Sequence, residues 1–313
     1  MRYAVIGAGS MGSRRIRYLK HLAAGAVLTY DVRPDRRAEA QGLYDIGTVT
    51  SVAELVESEP EAVFICVPPA AHLFYLRLAV EQGWHFMTEQ PISCSREWMG
   101  EIVGEVRRRG LITHVSCNMR FNAGIKLVRE LIAGGSIGPV LTGIIEVGEW
   151  LPDWHPYEPY VDYYPARRAM GGGLDAVCDL EWLALMFGRV SRLACLAGKR
   201  STLDIDTDDV VQLVLEYASG PQIVMHTDML QRAYSHKAKF MGEQGMIVWD
   251  CGQHQVLRYL ASNRAWETFP EQVPAGRWSG MKMKPGWEWV EPMYFEDSCC
   301  FLDRLKTQDH STA

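Results

Sequence analysis

The hydrophobic pattern of residues 2–116 alternates between two periods. Short, nearly continuous apolar segments such as 2–7 (RYAVIG) and 62–67 (AVFICV) predict buried β-strands, and the segments between them carry apolar residues at helical spacing. The predicted strands are 2–7, 26–31, 46–49, 62–67, 84–88 and 111–116, and the predicted helices are 10–24, 51–57, 70–82 and 95–109. Apolar strands separated by helices are typical of a parallel sheet covered on both faces. The first half is therefore predicted to be a doubly wound α/β domain.

The second half has a different pattern, in which short polar or glycine-containing turns join the apolar segments. The predicted strands are 140–148, 190–197, 209–217, 221–228, 235–241, 246–250 and 254–260, and helices are predicted near 122–133, 174–187 and 292–306. Short connections favour antiparallel neighbours. We therefore predict an N-terminal domain of residues 1–119, followed by an α+β domain of residues 120–313 with a large, mostly antiparallel open sheet.

Composition and charge exclude several classes of protein. The 313 residues are 48% apolar and 22% charged, and the formal net charge is −6 without a block of five or more basic residues. Nucleic acids and anionic membranes bind through clustered Lys and Arg, so neither is an expected partner. No apolar stretch approaches the ~18 residues that span a bilayer, and no signal peptide is recognised, which predicts a cytoplasmic protein. The eight cysteines include no CxxC spacing, so no metal site is predicted.

A glycine-rich segment lies between the first predicted strand and the first predicted helix. Residues 7–12 (GAGSMG) match GxGxxG, in which Gly7 permits a tight turn, Gly9 lets the backbone approach a pyrophosphate, and Gly12 permits close helix–strand packing. The helix N-terminus adds unpaired N–H groups and a positive dipole. Asp31 ends the second predicted strand, at the spacing expected of the acid that binds a ribose 2′-hydroxyl. A Rossmann domain that binds a dinucleotide is therefore predicted.

The charges around Asp31 bear on the choice between NAD and NADP. A carboxylate repels a 2′-phosphate and accepts hydrogen bonds from hydroxyl groups, which favours NAD. Arg33, with Arg36 and Arg37 nearby, would soften that preference, and the alternative is that these arginines form a solvated helix face. NAD is the predicted cofactor, with NADP as the alternative.

Several spaced motifs resemble those of one oxidoreductase family. Residues 65–69 (ICVPP) with His72, 89–93 (EQPIS), 118–122 (NMRFN) and 171–173 (GGG) are similar to motifs of the glucose–fructose oxidoreductase/inositol dehydrogenase (Gfo/Idh/MocA) family. The resemblance implies an NAD(P)-dependent oxidoreductase acting on a sugar, sugar-nucleotide or related polyhydroxylated substrate, assembled as a homodimer or homotetramer. The glycine-rich segment and the resemblance together predict these cofactor-binding residues: Gly7, Gly9, Ser10, Met11, Gly12, Asp31, Arg33, Cys66, Val67, Pro68, His72, Glu89 and Gln90.

The first departure from the family pattern is at Gln90. The family has Glu-Lys-Pro after the fifth strand, and its lysine helps proton transfer between nicotinamide and substrate. Residues 89–91 are Glu-Gln-Pro here, and a glutamine amide can orient a substrate oxygen but cannot exchange a proton near pH 7. Gln90 is therefore predicted to position the reacting groups without carrying the proton.

The second departure follows the glycine triplet. The family carries Asp, His and Asp at steps of three on one helix, and the corresponding residues here are Asp175, Cys178 and Glu181. Steps of three keep all three positions on neighbouring parts of one helical face. A thiol is a poorer proton carrier at pH 7 than imidazole, and the alternative is that Cys178 only fills core space. Asp175, Asp179 or Glu181 would supply a general base if burial raised its pKa.

A polar and aromatic loop before the glycine triplet is predicted to contact the substrate. His155 in this loop would replace the missing imidazole, or it is merely solvated. Arg120 suits a bidentate pair with a carboxylate or phosphate, against the alternative of an inter-domain salt bridge. The predicted catalytic residues are Gln90, Asp175, Cys178 and His155, and the predicted substrate-binding residues are Asn118, Arg120, Tyr163, Arg167, Asp175 and Glu181.

Three functions are compatible with an intact cofactor fingerprint and altered acid–base residues. The first, which we predict, is an oxidoreductase with an unconventional proton carrier and a sugar-derived small-molecule substrate. The second is a lyase or epimerase that oxidises its substrate transiently, and the third is a dinucleotide-binding protein without turnover. The broad open face of the predicted sheet favours a homo-oligomer.

Overall fold

The computed structural model describes residues 1–155, 158–174, 177–272, 278, 281, 283 and 292–310. The chain divides into two units, of which the first contains Met1–Cys117 with Pro274–Ala313, and the second contains Asn118–Val273. Throughout the described part of the chain, the helices are too short or too polar to cross a membrane.

Strands and helices alternate along the first half, and strands predominate in the second. The strands are β1 (Arg2–Ile6), β2 (Ala26–Tyr30), β3 (Gly47–Val49), β4 (Ala62–Ile65), β5 (His85–Thr88), β6 (Thr113–Val115), β7 (Val140–Gly148), β8 (Val190–Gly198), β9 (Val210–Tyr217), β10 (Gln222–Asp228), β11 (Ser235–Gly242), β12 (Gly245–Asp250), β13 (Gln255–Leu260) and β14 (Ala265–Pro270). The helices are α1 (Ser10–His21), α2 (Pro34–Tyr44), α3 (Val52–Glu57), α4 (Pro69–Gln82), α5 (Met99–Arg109), α6 (Ala123–Ala133), α7 (Val177–Phe187) and α8 (Pro292–Thr307).

The first unit is built on a six-stranded parallel sheet in the order β3-β2-β1-β4-β5-β6. The central strand β1 is buried on both faces. Tyr3 and Val5 pack into a core shared with α1 and α8, and Ala4 and Ile6 pack into a second core shared with α4. Helices therefore cover both faces of the sheet, and the predicted doubly wound α/β fold is confirmed.

The C-terminal helix belongs to the first unit, whereas the sequence analysis assigned all of 120–313 to the second domain. The ring of Phe301 in α8 meets the ring of Phe64 in β4 edge-on, with centroids 5.4 Å apart. Leu302 and Leu305 lie in the same apolar core. The division differs from the predicted one because the apolar side of α8 covers the parallel sheet.

Arg15 of α1 is fully buried and joins four parts of the first unit. Its five N–H hydrogens have five acceptors, on α8 and directly after β5 and β6. The acceptors are Glu89 Oε1 (2.8 Å) for Nε, Tyr294 O (3.0 Å) and Ser298 Oγ (2.7 Å) for Nη1, and Ser116 Oγ (2.7 Å) and Asp297 Oδ2 (3.1 Å) for Nη2. Because a guanidinium has five donors, every one of them is satisfied.

Asp297 of α8 is the second fully buried charge of this cluster. Besides its contact with Arg15, Oδ1 lies 2.8 Å from His114 Nε2, and Oδ2 accepts from Ser116 Oγ at 2.8 Å. Burial alone would raise the pKa of Asp297, but the hydrogen bond from His114 and the charge of Arg15 outweigh burial and lower that pKa. The carboxylate is thereby held in its charged form.

The second unit is built on an eight-stranded sheet in the order β14-β13-β12-β11-β7-β10-β9-β8. All neighbours are antiparallel except β7 and β10, which run parallel. One face packs against helices, as when the rings of Trp182 and Phe187 in α7 approach the ring of Phe240 in β11 at 6.2 and 5.6 Å. The predicted α+β domain with a mostly antiparallel open sheet is confirmed.

The opposite face of this sheet carries exposed apolar side chains on neighbouring strands. Ile144 of β7 pairs with Val224 of β10, and Val224 pairs with Val214 of β9. Their exposed fractions are 49%, 42% and 39%, and Leu196 of β8 is 74% exposed. We call Ile144, Val224, Val214 and Leu196 the open-face patch.

Two elements were not predicted. Helix α2 buries only Ala40 and Tyr44, so most of its positions are polar and give little helical periodicity. Strand β14 pairs with β13 at the edge of the sheet and has no fully buried residue. The formation of both elements therefore depends more on packing and pairing with neighbouring elements than on an apolar pattern of their own.

We expect Asp297→Asn to lower the free energy of unfolding of the first unit by about 3–5 kcal/mol, because it removes one of the two carboxylates that pair with the buried charge of Arg15. Since the pKa of Asp297 is lowered in the folded state, the stability it contributes is present above the unfolded pKa of about 3.9 and is lost as the pH falls. Urea unfolding at neutral and acid pH measures both effects. The difference in the free energy of unfolding between Asp297→Asn and the wild type should become smaller at acid pH.

The matched control is Glu105→Gln on α5, because Glu105 pairs with Arg108 on the exposed surface. No measurable change is expected there. Equal unfolding midpoints for wild type and Asp297→Asn at neutral pH would contradict the assignment of a stabilising role to the buried cluster.

Candidate functional site

The glycine-rich loop between β1 and α1 packs closely against β4 and against itself. Gly7 has φ +92°, and a Cβ on it would lie 2.6 Å from Cys66 O. A Cβ on Gly12 would lie 1.7 Å from Gly7 O. Helix α1 begins at Ser10, with Met11 in its first turn, and its N-cap Gly9 offers no side-chain cap. The loop therefore has the tight turn and the uncapped N–H groups that a pyrophosphate needs.

Asp31 follows β2 directly and holds the glycine-rich loop in place. Oδ2 accepts from Ala8 N at 2.7 Å, and Oδ1 accepts from Arg33 N at 2.8 Å. A carboxylate has about four lone-pair sites, so two remain for further donors such as ribose hydroxyls. Asp31 therefore lies at the carboxyl end of β2, as its place in the sequence predicts.

The arginines after β2 have different surroundings. The exposed guanidinium of Arg33 pairs with Asp35, with Nη2 and Oδ2 2.5 Å apart. Arg36 lies over the loop, because a Cβ on Gly9 would come within 3.1 Å of its Nη1. Arg36, and not Arg33, is thus the cation next to the glycine-rich loop.

His72 of α4 joins the loops that follow β4 and β5. Its ring is fully buried, with Nδ1 2.7 Å from Pro91 O and Nε2 2.8 Å from Val67 O. Burial is the largest influence on the ring and lowers the pKa of His72. Both ring nitrogens face backbone carbonyl oxygens, and a neutral ring, which has one N–H, donates to one of them. His72 thereby ties α4 to the loop that contains Val67 and Pro68, and its predicted contact with the cofactor stays a prediction.

Glu89 and Gln90 follow β5 and have different surroundings. Glu89 Oε1 accepts from Arg15 Nε, and Cys66 Sγ lies 3.9 Å from the same oxygen. Gln90 Oε1 is buried, and no donor among the described residues reaches it. A buried acceptor without a donor costs free energy, which a ligand N–H or O–H would recover. Glu89 is therefore a structural partner, whereas Gln90 has free capacity for a ligand.

Three predicted residues of the loop after β7 interact within that loop. The buried Tyr163 hydroxyl directs its single hydrogen toward the backbone oxygens of His155 and Glu158, which share it, and the His155 ring lies edge-on at 5.0 Å. Arg167 Nε donates to Val161 O at 2.9 Å. The hydroxyl of Tyr163 and the Nε of Arg167 thus stabilise the loop conformation.

Helix α7 carries part of the predicted trio. Cys178 and Glu181 lie one turn apart and are both partly buried. Asp175 lies outside the described residues. Cys178 and Glu181 share one face of the helix, as their spacing of three residues predicts. The buried carboxylate of α7 is that of Asp179.

A shallow groove, without enclosed space for a water molecule, lies in the second unit beside Arg120. It is lined by Arg120, Ile125, Lys126, Arg129, Trp182 and Leu185. Arg120 lies 4.8 Å over the ring of Phe121, and its buried Nε has no acceptor among the described residues. No carboxylate of the described chain pairs with the three cations, so the groove favours an anion. Asn118, two residues before Arg120, is buried.

A hydrogen-bonded chain that the sequence analysis missed links α7 to β11. Asp179 Oδ1 accepts from Trp182 Nε1 at 2.7 Å and lies 2.8 Å from His236 Nε2. His236 Nδ1 lies 3.3 Å from Tyr234 Oη. Asp179 and His236 are 57 positions apart in the chain, and no local motif joins them. Of these residues, the sequence pattern pointed only to Asp179, as one of three candidate bases with Asp175 and Glu181.

Two family models match the chain. Residues 1–117 match an oxidoreductase family model described as an NAD-binding Rossmann fold. Residues 125–248 match the model of the GFO/IDH/MocA C-terminal domain. The matches fall on the first and the second unit, respectively.

Individual relatives agree with these matches. The uncharacterized oxidoreductase YrbE of Bacillus subtilis is 29% identical over 260 residues, which cover 79% of this chain and 72% of that one. Inositol 2-dehydrogenase 3 of Saccharopolyspora erythraea is 25% identical over 254 residues, with the same coverages of 79% and 72%. The solved structure of levoglucosan dehydrogenase in complex with NADH has the same fold, with a TM-score of 0.80 at 17% identity over 98% of this chain and 90% of that one. The chain therefore belongs to the Gfo/Idh/MocA oxidoreductase family, and its first unit is an NAD-binding Rossmann domain.

Proposed function

We propose that this protein is an NAD-dependent dehydrogenase that oxidises a secondary alcohol of a sugar-derived, polyhydroxylated substrate. The observation that carries the proposal is the buried, unpartnered Oε1 of Gln90 in the same unit as an intact glycine cradle. Relatives whose names state inositol and levoglucosan as substrates support the substrate class.

The cofactor is held by the first unit. The uncapped N–H groups at the start of α1 bind the pyrophosphate, and Asp31 accepts from the ribose hydroxyls through its remaining lone pairs. Gln90 Oε1 accepts from a ligand N–H or O–H and orients it. NAD⁺ bound at this site supplies the hydride acceptor.

The preference for NAD over NADP rests on the position of Asp31. Its carboxylate is fixed beside the loop by two backbone N–H groups, where it repels a ribose 2′-phosphate. The guanidinium of Arg33 is paired with Asp35, which makes it less available to a 2′-phosphate. Arg36 over Gly9 is adjacent to the phosphates of either dinucleotide and therefore does not discriminate.

The groove beside Arg120 favours a substrate with an anionic group, such as a carboxylate or a phosphate. Arg120, Lys126 and Arg129 contribute three positive charges to this surface, and a concentration of positive charge attracts an anionic group.

The open-face patch supports a homo-oligomer. Ile144, Val224 and Val214 lie side by side on adjacent strands and remain between 39% and 49% exposed. A contiguous exposed apolar surface on a sheet favours association with a second copy of the same surface.

We expect the wild-type protein to bind NAD more tightly than NADP. Asp31→Ala should weaken NAD binding about ten- to a hundredfold, because hydrogen bonds to a charged group are worth about 1.5–3 kcal/mol. The same substitution should narrow the difference between the affinities for NAD and NADP. Calorimetric titration with both dinucleotides measures this. Glu57→Ala on α3 removes an exposed charge of the same unit and should leave both affinities unchanged. Tenfold tighter binding of NADP to the wild type would refute the preference.

We expect the wild-type protein to reduce NAD⁺ with at least one member of a panel of polyols, sugars and sugar acids, followed by NADH absorbance. Arg120→Ala should raise KM for an anionic substrate at least tenfold, whereas Arg192→Ala, at an exposed pair on β8, should not. Substrate conversion without net NADH would indicate transient oxidation instead. Dinucleotide binding with no conversion of any compound would indicate a protein without turnover.

We expect light scattering to show a mass of at least twice 35.3 kDa at micromolar concentration. Ile144→Glu combined with Val224→Glu places charges in the open-face patch and should shift the protein to the monomer. Val103→Glu on α5 changes an equally exposed apolar residue of the first unit and should leave the mass unchanged. A wild-type monomer would contradict the assignment of the patch to self-association.

A further inference from the structure

The side-chain amide of Gln90 has a buried oxygen that needs a hydrogen-bond donor. No donor among the described residues reaches Oε1, although the residue as a whole is only partly buried and a ligand can approach it. The same amide carries two N–H donors on Nε2. The group that satisfies Gln90 must therefore offer a donor, and Gln90 offers a donor in return.

We propose that the amide of Gln90 pairs with the carboxamide of the nicotinamide ring. Oε1 accepts from the carboxamide N–H, and Nε2 donates to the carboxamide oxygen. This contact deepens the proposed function, since it names the group that Gln90 binds, and it involves residues of the first unit alone.

The order of the strands in the first unit gives the direction in which a bound dinucleotide extends. The uncapped start of α1, directly after β1, suits the pyrophosphate, and Asp31, directly after β2, suits the ribose of the adenosine half. Strands β2 and β4 flank β1 on opposite sides, and β5 lies beyond β4. With the adenosine half on the β2 side, the nicotinamide half extends across β4 toward β5. Gln90 is the second residue after β5.

The reach from α1 to Gln90 agrees with this direction. Adjacent strands lie about 4.8 Å apart, so the loop after β5, two strands from β1, is about 10 Å from the glycine-rich loop. This distance is comparable to the length of a nucleoside. Within the first unit, the end of β5 is therefore where the base of a nucleoside that starts at the N-terminus of α1 is expected.

The residues on both sides of Gln90 are held in place. Glu89 Oε1 accepts from Arg15 Nε at 2.8 Å, and Glu89 N donates to Ile65 O, at the end of β4, at 3.1 Å. On the other side, Pro91 O lies 2.7 Å from His72 Nδ1. The backbone that carries the amide is thus fixed before a ligand binds, which lowers the entropic cost of binding.

The carboxamide matches both polar ends of the Gln90 side chain. Nicotinamide carries a primary amide, with a carbonyl acceptor and two N–H donors, and two amides that face each other form two antiparallel hydrogen bonds. A ribose or substrate hydroxyl is a single oxygen and meets only one end of the Gln90 amide at a time. The phosphates offer acceptors alone. The carboxamide is therefore the group of the nicotinamide half that satisfies Oε1 and Nε2 together.

Glutamine at position 90 differs from the lysine of the family in what it recognises. An ammonium only donates, so it can contact the carboxamide oxygen but leaves the carboxamide N–H without an acceptor. Glutamine is also uncharged and does not repel the positive ring of NAD⁺. An amide pair fixes the rotation of the nicotinamide ring and hence the face that it presents to a substrate. Gln90 is thus a positioning residue for hydride transfer.

The first experiment compares two dinucleotides by calorimetric titration of the full chain. In 3-acetylpyridine adenine dinucleotide, a methyl group replaces the carboxamide NH₂ and the carbonyl is kept. The wild type should bind this analogue about ten- to a hundredfold more weakly than NAD⁺, because the analogue leaves the buried Oε1 unpaired. Gln90→Met keeps the length of the side chain without its amide and should bind both dinucleotides with equal affinity.

ADP-ribose separates the carboxamide from the rest of the cofactor. It keeps the adenosine, the pyrophosphate and the second ribose but lacks nicotinamide. Gln90→Met should bind ADP-ribose as tightly as the wild type does. The same titration shows that the variant is folded and that its glycine-rich loop is intact.

The matched control is Gln82→Met at the end of α4. Gln82 is exposed and belongs to the same unit, so the exchange of side chains is identical but lies outside the site. This variant should keep the wild-type preference for NAD⁺ over the acetylpyridine analogue.

The second experiment observes the amide directly and needs no substrate. In nitrogen-15 NMR of glutamine-labelled protein, the side-chain NH₂ signal of Gln90 is assigned by its absence from Gln90→Met. This signal should shift when NAD⁺ is added and should stay in place when ADP-ribose is added.

The outcomes separate the amide pair from the proposed dehydrogenase. Equal wild-type affinities for NAD⁺ and the analogue would overturn the pair, as would a preference that persists in Gln90→Met. Weaker binding of ADP-ribose to Gln90→Met, or an NH₂ signal that shifts equally with ADP-ribose, would assign Gln90 to the ribose and also overturn the pair. Oxidation of a panel member alongside any of these results would leave the dehydrogenase intact. The expected affinities without oxidation of any panel member would overturn the dehydrogenase and leave the pair intact.

Discussion

The buried guanidinium of Arg15 constrains the first unit more than any other single group. A charge removed from water must be paired and fully hydrogen-bonded, and Arg15 achieves this only if α8 and the ends of β5 and β6 stay in place. One of its partners is Glu89, the residue before Gln90. The backbone that presents Gln90 is therefore anchored at a buried charge cluster.

The same rule explains why several predicted ligands have structural partners instead. The ring of His72 lies between two backbone oxygens, and the hydroxyl of Tyr163 shares its hydrogen between two more. Motif-based prediction identifies residue types that can bind ligands, but it does not show which of them the fold itself must satisfy. Gln90 and Arg120 each keep a buried atom without a partner among the described residues, and this is the reason for proposing a ligand contact at Gln90. Several other buried polar atoms share this property, so the position of Gln90 in the unit that carries the glycine-rich loop is the second part of the argument.

The features that the sequence predicted correctly are those that follow from local residue patterns. The strands of both sheets and the turn at Gly7 follow from short periodic segments and from a motif confined to six residues. The place of α8 with the first unit could not be predicted, because it depends on Phe301 meeting Phe64 and on Asp297 meeting Arg15. The pair Asp179–His236 was missed for the same reason, since only the packing of α7 on β11 brings the two residues together.

The same dependence on tertiary packing appears in the second unit. Tyr234, directly before β11, and the buried His236 face each other, with Tyr234 Oη 3.3 Å from His236 Nδ1. Asp179 comes to the same imidazole from α7, which is held there by Trp182 against Phe240. The imidazole is thus fixed between a phenol and a carboxylate, with the ring of Trp249 edge-on at 4.9 Å. Because a buried carboxylate must be hydrogen-bonded, Asp179 ties α7 to β11 in the same way that Asp297 ties α8 to Arg15.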